Sequence, residues 1–203
     1  MELPFKYVGG DPAIDLVNTI DWTSHGLRDE RLESYERLTR WAEEAGVMSP
    51  RLAATLRRRA EGNRREGEAA YRSALRAREV LSRLFREIAE GGGSAEALND
   101  FNRLLAPALR HLRVTPSSPG EGLQLQLGWA DREQKLESLL WPVLWSAASL
   151  ITSDEASRIR VCGGEDCGWM YVDRSRNGLR RWCQMEVCGT REKTRRRRSS
   201  PAA

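Results

Sequence analysis

All four cysteines of the chain fall within one 27-residue window, as two pairs of equal spacing. The pairs are Cys162-x4-Cys167 and Cys183-x4-Cys188, separated by fifteen residues. Two short-spaced pairs at such a separation can present four thiolates tetrahedrally to one ion. We therefore predict one structural Zn²⁺ on these four residues. The alternatives are two disulfides, four unrelated buried thiols, an iron site and a redox dithiol.

The rest of the sequence favours the metal over disulfides. No N-terminal stretch combines a basic start with an apolar run, and no window approaches eighteen uncharged apolar residues. We therefore expect a cytoplasmic protein without a membrane partner, in a compartment that keeps thiols reduced. With 40% hydrophobic and 31% charged residues, the composition is that of a globular protein.

Charge is distributed unevenly along the chain. From Arg158 onward there are 12 Lys and Arg against 5 Asp and Glu, a net charge of +7. The preceding residues hold the other 21 of 33 cations and 24 of 29 acids, a net charge of −3. A basic segment that coincides with the cysteine window indicates an anionic partner for that segment.

The first 151 residues, called the body, are predicted to be mostly helical. Asp11-Pro12, Ser49-Pro50 and Ser94 are helix starts, and Gly46 and the run Gly91–Gly93 are helix ends. Apolar residues recur at helical spacing between these signals, for example Ala70, Ala74, Ala77, Leu81, Leu84, Phe85 and Ile88.

A change of period predicts a small β element within the body. Residues 111–114 and 123–127 alternate between apolar and polar, with a turn-rich stretch between them, as in a hairpin with one buried face. Asp131 is expected to cap a last body helix, which Pro142 should bend. The fold class is therefore mainly α with a small β-hairpin element, an α+β body, followed by a small four-cysteine zinc finger.

The domain boundary is placed at residues 152–157, a polar stretch without apolar periodicity. Residues 158–195 form the finger, and residues 196–203 a basic tail expected to be disordered. Within the finger, residues 158–161, 169–173 and 179–182 are predicted strands, with Asn177-Gly178 as the hairpin turn between the last two. A helix is expected to start at Gly189, and that glycine is expected at positive φ.

The finger resembles the bacterial CGNR zinc finger. That family carries C-x4-C-x-W-φ-φ-φ-D-x-S-R-N-x-x-R-R-W-C-x-M-x-x-C-G-N-R, where φ is apolar. This chain has Cys162-x4-Cys167-Gly168-Trp169-Met170-Tyr171-Val172-Asp173-Arg174-Ser175-Arg176-Asn177, then Arg180-Arg181-Trp182-Cys183-Gln184-Met185 and Cys188-Gly189-Thr190-Arg191. Thr190 replaces the family Asn, an exchange we expect to be tolerated because both side chains hydrogen-bond at a helix start.

The body resembles the domain that accompanies this finger, the ABATE domain. The resemblance rests on Gly10-Asp11-Pro12-Ala13-Ile14-Asp15-Leu16-Val17-Asn18-Thr19, with a later echo in Leu38-x-x-Trp41. It implies a transcription regulator, proposed to respond to stress, and no established enzyme activity.

The basic residues of the finger are the candidate nucleic-acid contacts. They crowd beside the aromatic residues Trp169, Tyr171 and Trp182, a combination that suits phosphate contact and base stacking. The two tryptophans are better explained as the small core of the finger. Asp173 is better explained as a residue that orients an arginine or closes the hairpin than as a catalytic acid. The candidate contacts are Arg174, Arg176, Arg180, Arg181, Arg191, Lys193 and Arg195.

In the body, Asp15 and Asn18 lie one helical turn apart, with Asp21 one turn further. They are either a satisfied core polar pair or the polar end of a small-molecule pocket. Enzyme signals are weak, because the only histidines, His25 and His111, are remote in sequence from the cysteines. A four-cysteine shell would also leave zinc no open position for water.

These observations predict a zinc-dependent nucleic-acid-binding protein, with DNA favoured over RNA, that regulates transcription and is not an enzyme. Its body would sense a ligand or bind a protein partner. The first alternative is a finger used to dock a protein, and the second is an enzyme activity in the body.

Overall fold

The computed structural model describes residues 3–23, 26–117 and 124–199. Helices make up most of the described body. They are α1 (Pro12–Val17), α2 (Tyr35–Glu44), α3 (Pro50–Gly62), α4 (Arg64–Ala89), α5 (Ala95–Leu109) and α6 (Trp141–Ile151).

The predicted helix boundaries are confirmed by the capping contacts. The side chains of Asp11, Ser49 and Ser94 each accept a hydrogen bond from a backbone N–H in the first turn of α1, α3 and α5. These bonds satisfy donors that have no partner inside the helix. Beyond the ends of α2 and α4, Gly46 and Gly91 have φ of 73° and 81°, which favours glycine.

The central helix of the body is α4. Its predicted apolar stripe from Ala70 to Phe85 is buried and packs among α1, α3 and α5. The first strand of the finger also packs on α4.

Two hairpins extend the helical body. Strands β1 (Ile20–Thr23) and β2 (Gly26–Glu30) pair antiparallel, as do β3 (Leu112–Pro116) and β4 (Leu125–Trp129). The pair β3–β4 is the predicted hairpin, but the prediction that one of its faces is buried is wrong. Val114, Leu125 and Leu127 are exposed, because only the end of the hairpin at Trp129, which rests on Trp141, meets the core. Residues 118–123, where the turn was predicted, lie outside the described residues.

Three predictions about body helices need correction. Helix α1 ends at Val17, and Asp21 lies on β1 rather than on the helical face of Asp15. Asp131 caps no helix: it has φ of 59° and makes no capping bond, and short 3₁₀ turns separate it from α6. Pro142 does not bend α6, because it lies in the first turn, where its missing N–H costs nothing.

The finger contains one strand pair, formed by β5 (Ile159–Val161) and β6 (Met170–Val172), with Ile159 opposite Val172. The predicted strand at residues 179–182 is absent from this described segment. The turn at Asn177-Gly178 does form, with Gly178 at φ of 62°, but it leads from β6 into an irregular segment that returns to the cysteines.

The body and the finger share one hydrophobic core. Ile159, Met170 and Val172 of the finger are at most 2% exposed and belong to the same cluster as the residues of α4 and α6. The stretch predicted as a linker is not extended, since Asp154–Arg158 form a 3₁₀ helix. A domain boundary at residues 152–157 would imply that the body folds independently; this stays a prediction, and the shared core argues against it.

The chain continues into α7 (Thr190–Ser199). Helix α7 extends past Arg195 into residues 196–199, part of the segment for which disorder is predicted, and residues 200–203 lie outside the described residues. None of the described helices is long and apolar enough to cross a bilayer.

Candidate metal centre and nucleic-acid interface

The four cysteine sulfurs converge on one point. The Sγ atoms of Cys162, Cys167, Cys183 and Cys188 all lie within 4.8 Å of one another. The Sγ of Cys183 is 3.7 Å from that of Cys167 and 3.6 Å from that of Cys188. Tetrahedral zinc–thiolate bonds of about 2.3 Å place their sulfurs about 3.8 Å apart, so the cluster has the dimensions of a four-cysteine zinc site.

Backbone hydrogen bonds hold the cysteines in these positions. Cys162 directly follows β5, and its N–H donates to the carbonyl of Trp169 at 2.8 Å. The N–H of Cys183 donates to the sulfur of Cys162 at 3.3 Å, which joins the two cysteine pairs. Cys188 lies in a short π-helical turn, Met185–Gly189, at the start of α7.

Gly189, which follows the last cysteine, allows close packing rather than positive φ. A Cβ on Gly189 would lie 2.5 Å from the sulfur of Met185, whereas one on Gly164 would make only ordinary contacts of 3.4 Å with the Cβ atoms of Cys167 and Cys188. Gly189 is not among the residues with positive φ in the described chain, so that prediction is wrong. Because Gly189 has no side chain, the side chains of Met185 and Trp182 can pack against the backbone beside Cys188.

The electrostatics of the cluster favour a bound cation. Hydrogen bonds from Cys167 and Cys183 lower the pKa of Cys162 to about 2. Because Cys167 and Cys183 donate these hydrogen bonds, the pKa of Cys167 is raised to about 12 and the pKa of Cys183 is raised further. Thiols this close cannot all ionise against one another, whereas a divalent cation among them stabilises all four thiolates.

All four cysteines are free thiols, and together they fit one zinc ion. Three are buried and Cys167 is partly buried. Four sulfur ligands complete a tetrahedral shell, which is the arrangement of structural rather than catalytic zinc.

Of the candidate ligand-binding pair, Asn18 joins the body to the finger, and Asp15 bonds within the body. The side-chain amide of Asn18 donates to the carbonyl of Met170 at 2.8 Å, and its oxygen accepts from the N–H of Met170 at 2.9 Å. Asp15 accepts from the N–H of Gly9 at 2.8 Å. Burial raises the pKa of Asp15 to about 6. The structure thus supports the reading of a satisfied core polar pair.

The backbone carbonyls of Gly9 and Ile20 complete this junction. The carbonyl of Gly9 accepts from the N–H of Val172 at 2.8 Å, and the indole N–H of Trp169 donates to the carbonyl of Ile20 at 3.1 Å. Trp169 is 7% exposed and belongs to the finger core, as predicted. Trp182 packs against that core and is partly buried.

Three of the predicted nucleic-acid contacts are engaged within the protein. Arg174 forms a two-bond ion pair with Glu155 and donates to the carbonyl of Gly10. Arg180 donates to the carbonyl of Trp182 and lies 4.1 Å above the ring of Tyr171. Arg195 pairs with Glu165 and Glu192. These guanidinium groups hold the finger together, which sequence spacing does not reveal.

The other predicted contacts are exposed. Arg176, Arg181, Arg191 and Lys193 have no carboxylate partner among the described residues, although Arg181 lies over the ring of Trp182 at 5.6 Å. Arg197 and Arg198 are also exposed, and the sequence prediction missed them because it assigned them to a disordered tail. Arginine favours helices, so the Arg-rich sequence after Thr190 is the signal that could have placed Arg197 and Arg198 on a helix.

Asp173 closes the turn that carries Arg176. Its carboxylate accepts from the N–H and hydroxyl of Ser175 at 2.9 and 2.6 Å, and from the N–H of Arg180 at 3.1 Å. The Ser175 hydroxyl and these N–H groups lower the pKa of Asp173. Asp173 therefore closes a turn rather than the predicted hairpin, since residues 179–182 form no strand.

A cleft of about 200 Å³ lies beside the metal centre. Its walls include Cys167, Cys188 and Trp169, and Lys6 and Arg191 also border it. Arg31, which also lines the cleft, pairs with Asp21 and lies 5.2 Å from the ring of Trp169.

Two family models match the chain. The ABATE model, described as "Putative stress-induced transcription regulator", matches residues 10–154, which is more than two thirds of the chain. The CGNR zinc finger model matches residues 158–200. No curated protein matches the chain.

Proposed function

The chain belongs to the ABATE family and holds a CGNR zinc finger, and from this we propose that it is a cytoplasmic transcription regulator that binds duplex DNA through the finger and α7. We assign the zinc a structural role and the protein no enzyme activity. The role of the body would be to bind a protein partner or an effector, at a place other than Asp15 and Asn18.

The observation that carries the proposal is a concentration of exposed, unpaired cations in the short segment after β6. In the body, Arg57, Arg59 and Arg78 each pair with a glutamate. Exposed body cations without a carboxylate partner, such as Arg51 and Arg58, are spread over a much longer stretch of the described chain. Beyond β6, several cations are exposed and have no carboxylate partner among the described residues. They are Arg176, Arg181, Arg191, Lys193, Arg197 and Arg198.

Unpaired cations on a rigid support are what a phosphate backbone requires. Each cation that neutralises a phosphate releases condensed counterions, and this release drives binding. The metal centre fixes the turn that carries Arg176 and Arg181 relative to α7, because Cys183 and Cys188 lie between them. We therefore expect tight DNA binding to need bound zinc.

The test is duplex DNA binding by the zinc-loaded full-length protein, followed by fluorescence anisotropy over a salt series. The logarithm of affinity should fall linearly with the logarithm of salt concentration. In an R197A/R198A variant the slope should be smaller by about two, since each phosphate contact contributes about 0.9. The matched control is R51A/R58A on α3, whose arginines are also exposed and have no carboxylate partner in the described chain.

The control should leave the slope unchanged, because α3 lies on the body. A zinc-loaded protein that shows no duplex binding at low salt would refute the proposal. Equal losses in the two double variants would mean that binding reflects total charge rather than a surface on α7.

A specific observation favours protein docking as the second candidate function. Leu179 and Met185 are 72% and 45% exposed beside Trp182, an apolar patch on the finger. A docking finger predicts that L179S weakens partner binding while leaving DNA affinity unchanged. Absence of duplex binding at low salt would leave this candidate as the better one.

A further inference from the structure

Helix α7 has one side that is committed to the finger. Glu192 is 6% exposed, accepts from the N–H of Glu165 at 3.2 Å and pairs with Arg195. Arg195 also pairs with Glu165. This side therefore rests on the loop between Cys162 and Cys167, and the opposite side faces outward.

Helical periodicity gives the outward side a definite pattern. At about 100° per residue, Thr190 and Thr194 lie opposite Glu192 and along the middle of the exposed surface. Lys193 and Arg197 lie along one flank, and Arg191 and Arg198 along the other. All six residues are exposed. The outward surface is thus a row of two threonines between two rows of cations.

The size of the helix suits one groove of DNA. Its 10 residues extend about 15 Å, and an α-helix with side chains is about 10–12 Å across. The major groove of B-DNA is about 12 Å wide and admits such a helix, whereas the minor groove, about 6 Å wide, does not. Cations on the two flanks would meet the phosphates on the two edges of the groove.

The threonines determine which base groups can be contacted. The hydroxyl of Thr194 donates to the carbonyl of Thr190 at 3.0 Å, and that of Thr190 donates to the carbonyl of Met185 at 3.3 Å. With their protons used inside the protein, the hydroxyls can offer only oxygen acceptors and methyl groups to a ligand. Base groups that complement these are the amino groups of adenine and cytosine and the methyl group of thymine.

We propose that α7 is the reading helix, lying in the major groove with Thr190 and Thr194 against base edges and the two cation rows on opposite phosphate strands. The inference rests on the proposed function, since it names the groove and the reading residues of the same DNA complex. Guanine edges, which present only acceptors in this groove, are not complements of these threonines.

A groove-specific binding experiment tests the placement, with the zinc-loaded full-length protein throughout. One duplex carries glucosylated 5-hydroxymethylcytosine, whose sugars fill the major groove, and the other is unmodified with an excess of a minor-groove-binding polyamide. We expect glucosylation to weaken binding by at least about tenfold and the polyamide to leave affinity unchanged. The reverse result would overturn the placement.

A substitution experiment tests the reading residues. T194A should alter the base preference recovered from a pool of randomised duplexes, by about tenfold at one position, without changing the salt slope. The matched control is T55A on α3, because Thr55 makes the same hydroxyl bond to the carbonyl four residues earlier. It should change neither quantity.

The outcomes separate this inference from the function on which it rests. Duplex binding with a steep salt dependence, but with no effect of glucosylation or of T194A, would overturn the reading helix and leave DNA binding intact. Absence of duplex binding would overturn both.

Discussion

At the scale of single residues, the structure separates side chains that support the fold from those left for a ligand. Arg180 and Arg181 are neighbours in sequence and of the same type, yet Arg180 lies over Tyr171 and bonds to the carbonyl of Trp182, while Arg181 is exposed. The difference arises because the irregular segment after Gly178 directs the side chain of Arg180 towards the finger and that of Arg181 towards solvent. Sequence spacing cannot show this, because the segment belongs to no regular strand.

Asp15 is a residue whose titration should be visible in the stability of the whole protein. Burial raises its pKa from 3.8 to about 6, so between pH 4 and 6 the folded state binds more protons than the unfolded state. The contribution to the free energy of unfolding is therefore largest below pH 4 and is lost as the pH rises to 6. At 1.36 kcal/mol per pKa unit, the loss is up to about 3 kcal/mol.

The substitution D15N tests this assignment. An amide oxygen can still accept from the N–H of Gly9 but does not titrate. Relative to the wild-type protein, D15N should gain stability steadily from pH 4 to pH 6.5 in urea unfolding. A stability difference independent of pH over this range would contradict the raised pKa.

At the scale of elements, the junction between α1 and β6 is the contact that sequence periodicity could not reveal. Asn18 forms two hydrogen bonds with the backbone of Met170, a residue 152 positions away. Both residues are buried, so neither backbone group has water as an alternative partner. The motif that begins at Gly10 thus includes residues that hold the finger, as well as a helix start.

Removal of the Asn18 side chain should show the strength of this junction. N18A leaves a buried N–H and a buried carbonyl of Met170 without partners, at about 1–3 kcal/mol each. We expect the free energy of unfolding to fall by about 2–5 kcal/mol, measured by urea denaturation with bound zinc. N99A on α5, an exposed asparagine, should change it by less than about 0.5 kcal/mol. Equal effects of the two substitutions would mean that the junction contributes nothing.

Other elements show where local signals suffice. The capping residues Asp11, Ser49 and Ser94 predicted three helix starts correctly, because capping depends only on neighbours in the sequence. The hairpin β3–β4 was predicted as a pair, but its buried face was not borne out. Alternation shows that one face is apolar, whereas burial depends on whether another element covers that face.

At the scale of the whole molecule, the four zinc ligands could be predicted and the relation between finger and body could not. The ligands follow from spacing, since metal coordination within 27 residues is a local problem. The packing of β5 against α4 brings together residues far apart in sequence, and no periodicity records it. The polar composition of residues 152–157 suggested a linker, although polar residues serve equally well in the 3₁₀ helix found there.

The shared core predicts that zinc stabilises the body as well as the finger. Ile159, Met170 and Val172 are buried among residues of the body, and burial of each such side chain is worth about 1.5–3 kcal/mol. Removal of zinc should release the finger, because its own core is small and the metal supplies much of its folding energy. We therefore expect the zinc-loaded protein to unfold in one transition, and a strong chelator to lower its midpoint.

The same reasoning applies to shortened and substituted chains. Residues 1–151 alone lack these three side chains, which join the core of the body, so this fragment should unfold at lower urea than the zinc-loaded protein and bind a dye for exposed apolar surface. C183S, which removes one zinc ligand, should resemble the chelated protein, with far-ultraviolet circular dichroism as the measure of helix content. If residues 1–151 instead unfolded at the same urea concentration as the zinc-loaded protein, the two parts would be energetically independent, and the contacts of Met170 and Val172 with the body would contribute no stability.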